Sequence, residues 1–397
     1  MTTPASPEGQ AGPRVKTRRV HFLGGFDPRG ARHYHRLYRE EAAKQAALTG
    51  AAYEVGDRRR VSGKVSGWNV SSATQGESVT TDFQFMGWDD IVRGDWDNSR
   101  WKLLWRGLRY YVCYGLDGGF RRVGQVSKGA YYTSLLPLFY LLTLGEVLVT
   151  LAAIVVWLGW IFGSLWIGLA AAAVVVALTA FYGVRLGEKL GTLWVLRSCV
   201  FTYEWGLKSP PEIEQRAEEM AEHILREQAA KPVDEVLIIG HSSGTFIAVP
   251  VVARIVEKSA HQPPPQLKLL TLGQCIPYLS IIPQAETFRR DLALLAGASI
   301  SWTDASAGAD IMCFYKVDPV RTMQLPTPYP DRPRLASVRV IEMFATDVYK
   351  KMRRDFVRVH FQYMMASDRI NPYDFFQITA GPLTLESRSF DAPIETK

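Results

Sequence analysis

Val236-Leu237-Ile238-Ile239-Gly240-His241-Ser242-Ser243-Gly244 compresses a strand, a turn and a helix start into one short run. Four consecutive aliphatic residues suit a strand buried on both faces, as strands of parallel sheets are. They lead into Gly240, and an apolar segment with helical character, residues 245–258, leaves from Gly244. Gly-x-Ser-x-Gly set between strand and helix is the pattern of a nucleophile elbow, a sharp turn that lifts a serine above the sheet edge. Glycines two before and two after the serine let strand and helix approach without Cβ clashes. Ser242 is therefore the candidate nucleophile. Ser243 would turn its backbone N–H, at a helix start, towards a developing oxyanion. The competing reading is a Gly/Ser turn that opens a helix and does no chemistry.

On either side of this run the chain alternates. Residues 19–23 alternate as a strand does and end at Gly24-Gly25; a turn at 26–30 and a helix over 31–47 follow. Two β-like runs cover 63–74 and 78–86. A helix is expected from about Asp97, capped by Asn98 or Ser99, with Trp101, Leu104, Trp105 and Leu108 at helical spacing. Downstream, 210–230 reads as a helix with Pro211 in its first turn and 233–239 as a strand. After the triple proline at 263–265, 267–272 reads as a strand, 288–295 as a helix and 300–305 as a strand. Strand and helix in alternation imply an α/β fold with a mostly parallel sheet flanked by helices.

One block departs from that rhythm. Residues 131–184 contain no Lys, Arg or Asp, and Glu146 is their single acid. One transmembrane helix needs about 20 residues, so the block suffices for an inserted two-helix hairpin. Its turn is expected near 159–164, where glycines and a serine interrupt the run beside Trp157, Trp160 and Trp166. Arg121, Arg122 and Lys128 precede the block, and Arg185, Lys189 and Arg197 follow it, so both flanks are expected on the cytoplasmic side. A re-entrant hairpin that does not fully cross is the alternative. Glu146 is expected to face the second helix.

The expected division is a leader over 1–17, a first α/β part over 18–130, the hairpin over 131–184 and a second α/β part over 185–397. The leader is rich in Pro, Gly, Ser and Thr and lacks the apolar core of a signal peptide. Net charge is +7 with a pI of about 9.1. With an apolar block present and no nucleic-acid signature, that balance points to the lipid bilayer as partner and away from nucleic acid. Cys113, Cys199, Cys275 and Cys313 form no C-x-x-C pair and have no histidine at ligand spacing, so no metal and no cofactor are expected.

The elbow and its setting resemble the α/β-hydrolase superfamily of serine esterases and lipases, here in a membrane-anchored, bacterial-type form. The resemblance covers residues 20–38 and 233–365, with the intervening chain outside the common core. It implies an oxyanion-hole turn after the first strand, which Gly24-Gly25-Phe26 fits, so that Gly25 or Phe26 would supply the second N–H donor. It also implies the chain order Ser, acid, His. Only His261 and His360 follow Ser242. His261 abuts the proline run and reads as surface, which leaves His360 as the general base. For the acid, Asp310, at the end of Trp302-Thr303-Asp304-Ala305-Ser306-Ala307-Gly308-Ala309-Asp310, is preferred to Asp318 in Val317-Asp318-Pro319-Val320, with Asp304 third. Asp89 and Asp90 read as a surface turn or helix cap before the aromatic helix, rather than as paired carboxylates for acid/base work.

The expected activity is hydrolysis of carboxylic esters or thioesters through an acyl-enzyme, at a bacterial inner membrane with the catalytic domain facing the cytoplasm. Attachment to a membrane suggests an amphipathic or lipid ester substrate. Two alternatives use the same residues or none: acyl transfer, and a non-catalytic membrane scaffold on the same fold. The oligomeric state is left open.

Overall fold

The computed structural model describes residues 12–74, 76–96 and 99–390. Most of the expected leader, along with Asp97 and Asn98, lies outside them. Within the described part the ordered chain starts before residue 18: Arg14 bridges Leu383, and strand β1 already includes Thr17.

The fold is α/β, with a mixed, mostly parallel sheet flanked by helices. Among the described residues the strands are β1 (Thr17–Leu23), β2 (Ala52–Val55), β3 (Arg59–Ser62), β4 (Val65–Thr74), β5 (Glu77–Met86), β6 (Glu235–His241), β7 (Leu267–Leu272), β8 (Ser301–Ser306) and β9 (Arg334–Ser337). Their order is β2-β4-β5-β1-β6-β7-β8-β9, with β3 also on β4. From β5 to β9 every pairing is parallel, whereas β2, β3 and β5 meet β4 antiparallel. Strands β2 to β5 come from the chain between 38 and 233, which therefore does contribute to the common sheet. β2, β3 and β9 had no reading in the sequence, being four residues long and partly exposed.

β1 is central, with Val20 beside Phe83 on one side and Leu237 on the other. Chain order runs in opposite directions from it: β5, β4, β2 one way and β6 to β9 the other. The helix after β1, Gly30–Thr49, buries Tyr34, Tyr38 and Ala42 in one core layer. The helix after β6, Thr245–Lys258, packs in the other. The two strands thus form a topological switch point, and in open α/β sheets the crevice for ligands opens there, at the carboxyl ends.

Two long apolar helices, Lys128–Ile161 and Leu165–Lys189, are joined by a turn at 162–164, as expected. The most apolar 18-residue windows of the two have mean hydropathies of 2.3 and 2.2, and these windows are only 0% and 11% buried. Both are long and apolar enough to cross a membrane. The first begins earlier than residue 131, because Ala130, Thr133, Ser134 and Pro137 pack on the body of the protein. Glu146, expected to face the second helix, is exposed.

The helix Arg100–Leu116 is capped by Ser99, whose hydroxyl accepts the Lys102 N–H at 3.4 Å. Asp89 and Asp90 occupy the first turn of the helix Asp89–Asp95. Asp90 also pairs with Arg216, whose guanidinium holds its carboxyl far below the usual range despite partial burial.

Candidate active site

Four chain segments meet above the carboxyl ends of β1, β6, β8 and β9. At the end of β6, Ser242 has φ of +56°. For a non-glycine residue that left-handed conformation costs about 1–3 kcal/mol and persists only where its surroundings impose it. They do so here. Thr245 donates its hydroxyl to the Ser242 carbonyl at 2.6 Å, bracing the short turn Ser242–Gly244. A Cβ on Gly244 would fall 2.3 Å from the Leu23 carbonyl oxygen, so the elbow lies hard against the end of β1.

From β1 the chain passes to Gly24, Gly25 and Phe26. A Cβ on Gly25 would lie 3.0 Å from Ser242 Cβ and 3.3 Å from its Oγ. Two indoles pin this loop: Trp88 Nε1 donates to the Gly24 carbonyl (2.8 Å) and Trp194 Nε1 to the Phe26 carbonyl (2.6 Å). The backbone N–H of Phe26 therefore points at the elbow, where it donates to Ser243 Oγ at 2.7 Å. All three residues expected around an oxyanion, Gly25, Phe26 and Ser243, are beside Ser242.

His360 stands in the short helix Phe356–Phe361, beyond β9, and is fully buried. Its Nδ1 is 2.8 Å from Asp310 Oδ2. Asp310 follows β8 after a turn and also accepts the Tyr363 hydroxyl (3.1 Å) and the Met312 N–H (3.0 Å). Burial opposes ionisation of this carboxyl, but the His360 ring and these donors together hold it below its ordinary range. An ionised acceptor on Nδ1 makes Nδ1 the protonated nitrogen and leaves Nε2 as the lone-pair site. Nε2 has no hydrogen-bond partner among the described residues. The Ser242 hydroxyl points to Cys275 Sγ, 3.8 Å away. The Ser242 hydroxyl and the imidazole share no hydrogen bond in this arrangement.

The other expected residues lie elsewhere. Asp318 caps the helix Pro319–Thr322, accepting from Val320 and Arg321, and pairs with the Arg321 guanidinium. Asp304 is inside β8 and takes the Thr271 hydroxyl at 2.6 Å; burial pushes its carboxyl up to about 8, so it is neutral at pH 7. His261 is exposed.

Several neighbours were not singled out in the sequence. His241 Nε2 is 2.9 Å from the His360 carbonyl oxygen, and burial lowers this imidazole to about 3, so it is a neutral donor. Tyr363, Cys275, Trp88 and Trp194 carry no motif, and only their three-dimensional neighbours reveal them. Among the described residues no group of three or more His, Cys, Asp or Glu is placed to hold a metal ion.

An apolar cleft of about 50 Å³ leads to Ser242 and Ser243. Its walls come from Tyr110 and Tyr114, from Thr133 at the root of the first long apolar helix, from Trp194 just past the second, and from Tyr278. Comparison of the chain with known protein families, with curated proteins and with solved structures finds no match.

Proposed function

We propose that this chain is a membrane-anchored serine hydrolase of carboxylic esters or thioesters, on an α/β-hydrolase-like fold. The observation that carries the reading is the combination at one sheet edge of Ser242 in a left-handed strand–helix turn with a buried His360–Asp310 pair whose Nε2 is free. Ser242 Oγ attacks the acyl carbon as His360 Nε2 takes its proton, and Asp310 steadies the imidazolium. The carbonyl oxygen becomes an oxyanion facing the N–H groups of Ser243 and Phe26 at a helix start. As the tetrahedral adduct collapses, His360 returns the proton to the leaving alkoxide or thiolate. Water, deprotonated by the same nitrogen, then releases the acid and restores Ser242.

The hairpin Lys128–Ile161 and Leu165–Lys189 is the membrane anchor in this reading. Basic residues on both flanks support a cytoplasmic catalytic side, as at a bacterial inner membrane. The apolar lining of the cleft and its walls at the foot of the hairpin support an amphipathic or lipid ester as substrate.

A fluorophosphonate probe tests the proposal on the full chain in detergent or vesicles. Labelling of the wild type and none of Ser242→Ala or His360→Ala is expected. A folded wild type that resists the probe, or a Ser242→Ala variant labelled as well as wild type, overturns it in favour of a non-catalytic scaffold.

A further inference from the structure

The helix Arg100–Leu116 has two apolar stripes. The inner one, Leu103, Gly107, Tyr110 and Tyr114, is buried, and its tyrosines form a wall of the cleft. The outer one comprises Trp101, Leu104, Trp105, Leu108, Val112 and Leu116, which share one face of the helix at i, i+3, i+4, i+7, i+11 and i+15. It is open, with Trp101 83%, Trp105 69% and Leu116 83% exposed. A surface helix that meets water is polar on that side. A contiguous apolar patch of this kind marks an interaction surface.

Charge and position say what covers it. Arg100, Lys102 and Arg109 are exposed, and the helix contains no acidic residue. Tryptophan and leucine bordered by cations is the composition of a helix lying in the plane of a membrane interface. The Tyr111 hydroxyl donates to the Ser134 carbonyl at 3.2 Å. Ser134 is buried at the root of the first long apolar helix, just before its exposed part begins. The helix that carries the outer stripe is therefore tied to the root of the first membrane-capable helix. A second copy of the chain suits the patch poorly, since a two-fold contact would bring the same cations face to face.

We propose that the outer face of the helix Arg100–Leu116 docks into the headgroup region of an anionic lipid surface, a membrane contact separate from the hairpin. The inference rests on the hairpin reading above. Trp101, Trp105 and Leu108 enter the boundary between headgroups and chains, while Arg100 and Arg109 meet lipid phosphates. The tyrosine wall of the cleft is then the opposite side of the very helix that touches lipid.

The test uses the full chain in vesicles of phosphatidylcholine and phosphatidylglycerol, with Cys113→Ser and Cys199→Ser removing the half-buried thiols. An environment-sensitive fluorophore is placed at Leu108→Cys, at Val149→Cys on the hairpin, and at Arg36→Cys on the helix Gly30–Thr49. The label at 108 is expected to shift to the blue, to be quenched by spin labels placed shallow in the lipid, and to escape aqueous iodide. The label at 36 should lose its fluorescence to iodide. If iodide reaches 108 as well as it reaches 36 while 149 stays protected, the docking surface is overturned and the hairpin stands. If 149 is also reached, both fail. If 108 is shielded from iodide yet untouched by spin-labelled lipid, protein rather than lipid covers the stripe, and the proposal is wrong.

Discussion

The backbone N–H of Phe26 donates to the side-chain oxygen of Ser243 at 2.7 Å. One of the two donors proposed for the oxyanion is thus already engaged by the side chain of the residue that supplies the other. In the proposed mechanism an acyl substrate displaces this hydroxyl. Ser243→Ala leaves both backbone donors and removes the competitor, at the expense of a buried N–H unsatisfied in the free protein. We expect kcat/KM for a soluble ester to rise about five-fold, equivalent to a hydrogen bond of ~1 kcal/mol that need not be broken, together with a lower Tm. Steady-state kinetics and thermal unfolding of the same preparation check both signs.

Asp310 and Asp318 separate cleanly. Asp310→Asn removes the anion facing His360 Nδ1 and favours the wrong tautomer, so turnover should fall by about 10³–10⁴ with the fold intact. Asp318→Asn changes a helix cap and a surface ion pair; it should cost roughly 1 kcal/mol of stability or less and leave turnover within about two-fold. Equal losses of turnover in the two variants would remove Asp310 from the triad.

Gly25→Ala places a methyl 3.0 Å from Ser242 Cβ. Ser242 or the loop must then give by a few tenths of an ångström. That is less than the 1 Å misplacement that costs about 10²-fold in rate, so a drop of roughly 3- to 10-fold in fluorophosphonate labelling rate is expected, with far-ultraviolet circular dichroism unchanged.

Asp304 gives a pH signature independent of catalysis. Its carboxyl is buried and rises from 3.8 to about 8, so the folded state keeps a proton that the unfolded chain releases. Stability therefore falls as pH climbs from about 4 towards 8 and levels off beyond. Asp304→Asn removes the titration. The difference in Tm between variant and wild type should move in the variant's favour between pH 5 and pH 8, by the equivalent of a few kcal/mol at most. A pH-independent difference would show that the group is ionised in the fold.

Much of this could be read from the chain because the signals are local. The elbow is a contiguous strand, turn and helix, and the hairpin is a contiguous loss of charge with a break at its centre. Periodicity and composition suffice for both. The chain order of serine, acid and base is likewise a one-dimensional property.

What the sequence alone determined is the alternating α/β plan, the membrane-capable pair of helices and the position of Ser242 at a strand end. The rest depended on distance through space. Asp310 and Asp318 both follow β8 and precede His360 in the chain, and only the path of the chain beyond β9 brings His360 to one of them. Trp88 and Trp194 lie far along the chain from the glycine loop they pin, and no local pattern joins them. The stripe Trp101 to Leu116 has the spacing of any buried helix face. Its exposure was decided by the opposite stripe, which took the interior, because a helix packed on one side presents its other side to whatever surrounds the protein.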